Sequence, residues 1–201
     1  TNSQYAEFCR LTAYQPPWVK EVGQPGGKAA TSEEPTPPAG DLPVASITWD
    51  DAMAFCGWLA DKSDFSHVTL PTEAEWEFAC RAGTTADWSF GEDVQSLRQY
   101  CWFSENAQGV AHQVGQLSPN PWGVYDLHGN VAEWCRDHWR QYGYTVTAQV
   151  DPFVGSVDHF RNVRGGAWSD WPVMSRSAFR GFHPGRMHSP KIGFRVIARI
   201  P

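Results

Sequence analysis

RGGAWSDWPVMSRSAFRGFHPGRMHSPKIGFRV, residues 164–196, is the stretch around which the chain is organised. Both of its ends predict buried strands, because residues 164–168 combine two glycines with a tryptophan and residues 192–197 alternate large apolar side chains. The part between them is rich in Pro, Gly, His, Met, Arg and aromatic residues and follows neither a strand nor a helix period. Such an irregular loop on a rigid frame is a common place for binding or catalysis. We therefore expect function to reside in this segment.

Composition indicates one domain, residues 1–201, since a chain of this length buries about 70% of its unfolded surface in a single core. The net charge of −6 comes from 22 acidic and 16 basic residues, which argues against a nucleic-acid partner. No apolar run is long enough for a membrane span, and Thr1 begins no signal-peptide pattern.

Five cysteines occur, and no two form a CxxC pair. An odd number without zinc-type spacing predicts buried thiols rather than a disulfide framework or a metal site. Reduced thiols favour a cytoplasmic location. The cysteines are Cys9, Cys56, Cys80, Cys101 and Cys135.

Two capping boxes predict helices. Thr48 is followed by Asp51, and Thr72 is followed by Glu75, so each threonine can cap a helix while the acidic residue reaches back. Apolar residues recur at helical spacing after each cap, and Gly83 follows the second helix as a stop signal. These apolar residues are Ala52, Phe55, Cys56 and Leu59 in the first helix and Trp76, Ala79 and Cys80 in the second.

A third helix is predicted near the start of the sequence, where Tyr5, Phe8 and Cys9 share one face behind Asn2 or Ser3 as caps. Residues 15–41 are rich in Pro, Gly, Ser, Thr and Glu, which predicts a loop or partly mobile insertion. Residues 44–47 predict a short strand.

Six segments together resemble the formylglycine-generating enzyme (sulfatase-modifying factor) family. This resemblance implies an α+β, loop-rich domain of the C-type lectin fold with few short strands and two or three helices. The family's opening strand precedes the first of these segments and is not in this sequence. The segments are TNSQYAEF (1–8), SITWDDAMAFCGWL (46–59), LPTEAEWEFACRAGT (70–84), NPWGVYDLHGNVAEWCRDHW (120–139), RGGAWSD (164–170) and IGFRV (192–196).

The resemblance also implies one structural calcium site, at Asp126, Gly129, Val131 and Glu133. Carboxylates and backbone carbonyls are the oxygen ligands that Ca²⁺ prefers. A helix start with acidic residues near its dipole is the alternative explanation of this pattern. A second calcium site of the family needs an acidic loop, and residues 107–115 have none.

The copper site of the active enzymes is not expected here. Those enzymes bind copper through two cysteines in the C-terminal segment, and thiolates suit Cu(I). Asp170 and approximately Pro172 occupy the corresponding positions, and no cysteine follows Cys135. Ser177 and Val196 replace the cysteines that pair with the Cys56 and Cys80 positions in secreted members. Formylglycine chemistry is therefore not expected, and neither is copper.

A non-catalytic subset of this family fits the segment better. RGGAW, RSAFR and IGFRV resemble the variable proteins of diversity-generating retroelements, in which the final segment is diversified on a fixed frame. The resemblance implies a fixed frame at Arg164, Gly165, Gly166, Trp168, Arg176, Ser177, Ala178, Arg180, Gly193, Phe194 and Arg195. It implies outward ligand-binding residues at Ser169, Asp170, Trp171, Met174, Phe179, Gly181, Phe182, His183, Gly185, Met187, His188 and Ser189.

The sequence thus predicts a ligand-binding module whose partner is an unknown protein or other surface ligand. Large aromatic and adaptable methionine side chains suit such a surface. The alternative is a divergent oxidoreductase or pathway-specific enzyme without the copper cysteines. It would use histidines with iron, at His159, His183 and His188 beside Asp158, or an acid–base residue among Glu105, Glu133 and Asp137. A purely structural or accessory domain is the third possibility.

Overall fold

The computed structural model describes residues 1–15, 39–65, 67–141, 143, 150–155 and 158–200. The loop predicted at residues 15–41 lies almost entirely outside these ranges. Within them the helices are α1 (Asn2–Thr12), α2 (Trp49–Lys62) and α3 (Glu73–Arg81), with 3-10 helices at Val94–Gln99 and Pro172–Ser175. The strands are β1 (His67–Thr69), β2 (Cys101–Trp102), β3 (His128–Gly129), β4 (Ala132–His138), β5 (Phe160–Arg164), β6 (Gly181–Pro184), β7 (Ile192–Gly193) and β8 (Ile197–Arg199).

The capping boxes at α2 and α3 are confirmed. Thr48 Oγ1 accepts from the Asp51 amide at 3.1 Å while the Asp51 carboxylate accepts from the Thr48 amide at 2.9 Å. The Thr72 and Glu75 pair repeats this arrangement. For α1 the predicted caps Asn2 and Ser3 are wrong. Thr1 is the cap, and the Gln4 side chain completes its box. The Thr1 hydroxyl reaches the amides of the first helical turn, which have no hydrogen-bond partner within the helix.

The central sheet has four strands in the order β6-β5-β4-β7, with β4 and β7 parallel and the other pairs antiparallel. The strand predicted at residues 164–168 is wrong, because β5 ends at Arg164. Gly165 and Gly166 turn the chain there with φ of 93° and 72°, which glycine adopts readily. The strand predicted at 192–197 is two short strands, β7 and β8. Residues 44–47 form no strand, although Val44 and Ile47 are buried.

The main core lies between α1, α2 and the central sheet, and Trp134 of β4 is fully buried in it. A second cluster surrounds Trp76 of α3, and a third surrounds Trp88. All five cysteines are free and buried, which confirms the prediction of buried thiols. Within the described ranges, no helix combines the length and apolar character that crossing a bilayer requires.

Candidate functional site

Arg164 anchors the start of the segment from inside the protein. Its side chain is fully buried, with Nη1 donating to Glu73 at 3.0 Å and Nη2 donating to Glu77 at 2.5 Å. Nη2 also donates to the Ser177 carbonyl at 2.6 Å, and Arg180 donates through Nε and Nη2 to the same Glu73 carboxylate. One buried carboxylate on α3 therefore holds two arginines, one from the start and one from the middle of the segment. Such charge-assisted bonds fix the loop between them.

Most of the residues expected to form the fixed frame are buried or half-buried. Gly165, Gly166, Ser177 and Gly193 are buried with Arg164, and Trp168 and Phe194 are half-buried. Ala178 is the exception, because its side chain is exposed.

Among the predicted outward residues, four are exposed. Trp171 is 67% exposed, Phe182 44% and Met187 37%, and His188 is also exposed. Ser169, Asp170, Met174, Phe179, Gly181, His183 and Gly185 are half-buried. Between residues 169 and 189 only Ser175, Ser177 and Ser189 are buried. The segment thus presents an open surface that carries large exposed side chains.

The outward placement is wrong for Ser189, which is 7% exposed because its carbonyl accepts from the Ser46 amide at 2.9 Å and ties the loop down. Gly181 and Gly185 also differ from freely replaceable surface positions. A β-carbon at Gly181 would lie 2.9 Å from Val163 Cγ2, and one at Gly185 would lie 3.2 Å from Arg161 Cγ. Both glycines are therefore held by close packing against β5.

Sequence reasoning missed residues outside the segment that complete this surface. The Phe182 ring stacks on Trp139 at 4.4 Å and meets Phe160 edge-on at 5.5 Å. Arg180 lies 4.6 Å from the Trp139 ring centroid, and Phe160 is 37% exposed. These neighbours follow β4 and begin β5, so only the pairing of β5 with β6 brings them to Phe182. Val173, 49% exposed beside Trp171, was also missed.

Of the four predicted calcium positions, Asp126, Val131 and Glu133 line a cavity of about 850 Å³, whereas Gly129, in β3, is not among its lining residues. Glu133 Oε2 accepts from Trp76 Nε1 at 2.6 Å, and both its oxygens accept from Arg195, at 2.5 and 2.7 Å. Arg195 Nη2 also donates to the Tyr125 carbonyl at 3.0 Å. A guanidinium therefore already neutralises the Glu133 carboxylate.

The Asp126 carboxylate is the second acidic group of the predicted calcium site. It accepts from the Gly115 amide at 2.7 Å. Burial raises its pKa, and the nearby Glu133 charge adds to that effect while Arg195 opposes it. The oxygen donor set at Asp126 and Glu133 is chemically suited to Ca²⁺, with Arg195 as a competing cation.

A buried polar cluster surrounds His128. Its Nδ1 lies 2.8 Å from the Ser175 carbonyl, and its Nε2 accepts from the Ser89 amide at 3.2 Å. Burial lowers the pKa of His128 to about 4. Cys80 Sγ lies 3.8 Å from the ring, and burial raises the pKa of this thiol to about 12. The imidazole is therefore neutral and satisfied, which is typical of a structural histidine.

The positions of the copper cysteines carry no soft ligand. Asp170 Oδ2 accepts from the Ala167 amide at 3.0 Å, and Pro172 begins a 3-10 helix. His188 Nδ1 lies 3.0 Å from the Ser46 carbonyl, away from His183 on β6. In the part of the chain that the structure describes, no three His, Cys, Asp or Glu side chains are grouped to hold a metal ion.

Residues 1–200 match the family model of the sulfatase-modifying factor enzyme 1-like domain. The chain belongs to this family. The serine/threonine-protein kinase pkn1 of Chlamydia pneumoniae is 32% identical over 162 residues, which are 79% of this chain and 24% of that protein. The formylglycine-generating enzyme of Mus musculus is 29% identical over 172 residues, which are 78% of this chain and 44% of that enzyme. The sulfatase-modifying factor domain described here thus spans less than half the length of these curated relatives.

Among solved structures, Treponema denticola variable protein 1 is similar with a TM-score of 0.75 and 27% identity, over 91% of this chain and 80% of that one. The predicted fold class is confirmed, since this sulfatase-modifying factor domain shares the formylglycine-generating-enzyme type of C-type lectin fold.

Proposed function

We propose that this sulfatase-modifying factor domain is a non-catalytic ligand-binding protein that displays residues 169–188 on a C-type lectin frame. One observation carries the proposal. Exposed Trp171, Phe182 and Met187 alternate along the chain with buried anchors such as Arg164 and Ser177. Large exposed apolar side chains of this kind usually mark an interaction surface.

The chemistry of the surface suits a protein ligand. Tryptophan and phenylalanine are frequent interface anchors, and methionine adapts to irregular partners. Because each exposed side chain stands on a backbone fixed by buried neighbours, replacing it need not disturb the frame. This is the property that a diversified binding segment requires. The similarity to Treponema denticola variable protein 1 supports assignment to the variable proteins of diversity-generating retroelements.

The test is to sequence the 3′ end of this gene across isolates and to search its neighbourhood for a near-copy repeat and a reverse transcriptase. We expect substitutions at Trp171, Met174, Phe182, Met187 and His188, traceable to adenines in the repeat. The buried frame codons for Arg164 and Ser177 serve as the internal control and remain unchanged. A uniform segment without a repeat would contradict the diversified assignment.

We further propose that Ca²⁺ binds at the Asp126 end of the large cavity, with Glu133 and the carbonyls of Gly129 and Val131 as the other ligands. The carboxylates of Asp126 and Glu133 on the cavity lining support this, since carboxylate oxygens are ligands that Ca²⁺ prefers. Titration calorimetry with CaCl₂ is the direct measurement. Binding is expected in the unaltered chain and should be lost in Asp126→Asn, while Glu105→Gln, an exposed carboxylate elsewhere, leaves it unchanged. Absence of calcium heat in the unaltered chain overturns the proposal.

A further inference from the structure

A second cavity, of about 370 Å³, lies on the opposite side of the β5–β6 hairpin from the aromatic surface of Phe182. Its lining residues come from the first turn of α2, from the last residue of β4, from β5 and the residues just before it, and from the turn after β6. Its volume lies in the range of small-molecule sites. Charged side chains of both signs line it, and it belongs neither to the copper positions nor to the calcium positions.

Arg161 forms the basic side of this cavity. Its guanidinium carbon lies 3.7 Å from the Trp49 ring centroid, so the planar group is stacked on the indole. Nη1 donates to the Arg136 carbonyl at 3.2 Å. Within the described ranges no carboxylate lies within ion-pair distance of Arg161, and none of its nitrogens is both buried and unpartnered. Its other N–H groups therefore remain free for an oxyanion.

The stack is held rigidly before any ligand arrives. Trp49 Nε1 donates to the Cys135 carbonyl at 2.9 Å, and the Trp49 amide donates to the Gly185 carbonyl at 2.8 Å. The Gly185 amide in turn donates to the His159 carbonyl at 2.9 Å. Fixing the indole fixes the plane of the guanidinium above it. Such preorganisation lowers the cost of binding.

Asp50 and Asp158 form the acidic side of the same cavity. Asp158 Oδ1 accepts from the Phe160 amide at 2.8 Å, which orients the carboxylate and leaves Oδ2 available. Both aspartates are exposed residues, and the other basic lining residue, Arg186, is exposed as well. Two acidic side chains, Asp50 and Asp158, and two basic ones, Arg161 and Arg186, line the cavity, so their formal charges balance. This arrangement matches a ligand with an anionic end and a cationic end.

We propose that this cavity binds a small zwitterion of the free amino acid class, with its carboxylate on Arg161 and its ammonium group between Asp50 and Asp158. Guanidinium and carboxylate form paired, charge-assisted hydrogen bonds, and an ammonium group is a compact donor that two carboxylates can share. Residues 185 and 186 of the displayed segment line this cavity, whereas the exposed side chains of Trp171, Phe182 and Met187 do not. Either proposal can therefore fail without the other.

The experiment is titration calorimetry of the intact chain with each of the twenty amino acids, with acetate and methylammonium as single-ended probes. At least one amino acid should bind, and each single-ended probe should bind at least about tenfold more weakly, because a charged hydrogen-bonding partner is lost. Arg161→Gln should weaken the amino acid at least about tenfold. Arg98→Gln is the control, since this exposed arginine pairs with Glu105 outside the cavity.

Asp158→Asn provides a second variant, because asparagine Oδ1 can still accept from the Phe160 amide and preserve the loop. It should weaken the amino acid and leave acetate unchanged. Three results would each overturn the proposal. They are no amino acid binding with a Kd below about 10 mM, undiminished binding in Arg161→Gln, or acetate binding as tightly as the amino acid.

Discussion

The Ser177 hydroxyl oxygen lies 3.5 Å from the Cys80 sulfur, and both side chains are fully buried. Ser177 stands where the family resemblance places a cysteine in secreted members, and Cys80 is at a position that forms a disulfide in those members. The contact joins α3 to the middle of the proposed binding segment. Burial raises the pKa of Cys80 to about 12, so the thiol stays protonated and unreactive.

Because the two side chains are in contact, a Ser177→Cys chain that folds under oxidising conditions should form a disulfide with Cys80 before burial raises the pKa of that thiol. The bond would close a loop of 97 residues, and loops of this length stabilise by about 2–4 kcal/mol when the geometry is accepted without strain. The measurement is the free energy of urea unfolding with and without reductant. Ser177→Ala, which forms no bond, should show no dependence on reductant. A Ser177→Cys protein in which all six thiols, the five native ones and the new one, stay free after oxidation would contradict the prediction.

His128 should make the protein acid-sensitive. Burial lowers its pKa from 6.5 to about 4, so the folded state favours the neutral imidazole. The stabilisation is fully present above pH 6.5 and is lost as pH falls towards 4, by about 3 kcal/mol in total. Asp126 and Asp137 have raised pKa values and oppose this trend at the acidic end.

His128→Gln isolates the histidine from the aspartates. Between pH 7 and 4, the unaltered chain should lose about 3 kcal/mol more unfolding free energy than His128→Gln, measured by urea denaturation. Because the substitution itself can weaken the core, imidazole NMR of the unaltered chain is the second measurement. An imidazole that becomes protonated at pH 6 in the folded protein would refute the structural assignment.

Two glycines should respond to alanine in opposite directions. At Gly181 the added methyl group would press on Val163 Cγ2 at 2.9 Å, and overpacking of this kind costs about 1–3 kcal/mol. At Gly57, inside α2, nothing lies within 4 Å, and alanine should stabilise the helix by about 0.5–1 kcal/mol. Thermal or urea unfolding of the two variants measures both effects. If Gly181→Ala were as stable as the unaltered chain, the prediction would be wrong and Gly181 would be a replaceable surface position.

The exposed anchors should be dispensable for folding. Trp171→Ser and Phe182→Ser should each change the unfolding free energy by less than about 1 kcal/mol, since exposed substitutions usually have small effects and Phe182 loses only surface ring contacts. Trp134→Ala is the matched control. Its buried ring and its 3.1 Å bond to the Ile47 carbonyl predict a loss of about 3–5 kcal/mol. A loss above 3 kcal/mol for Trp171→Ser would mean that its ring packs as core.

Local signals in the sequence were sufficient for the helices. Thr48 with Asp51 and Thr72 with Glu75 are complete four-residue patterns, and each determines a helix start through hydrogen bonds made within one turn. The cap of α1 was placed one or two residues too late, because Thr1, Asn2 and Ser3 are all chemically able to cap and only the tertiary path selects one.

The ends of the strands and the contacts of the loop residues could be determined only from the tertiary structure. Residues 164–168 contain the aromatic and glycine content of a buried strand, yet the hydrogen bonds of β4 end at Arg164 and the glycines turn away. Ser189 resembles other small loop residues in the sequence, and it is buried only because its carbonyl bonds Ser46, far away in the chain. No local pattern carries that information.

By itself, the sequence determined the family, the starts of α2 and α3 and the buried thiols, because each depends on residue identity. The tertiary structure alone decided that Trp139 and Phe160 join Phe182, and that Arg161 stacks on Trp49 beside Asp158. Those groups come from separate elements and meet only through long-range strand pairing and packing. Their positions depend on how the whole core packs, and the local conformational preference of a single segment does not determine them.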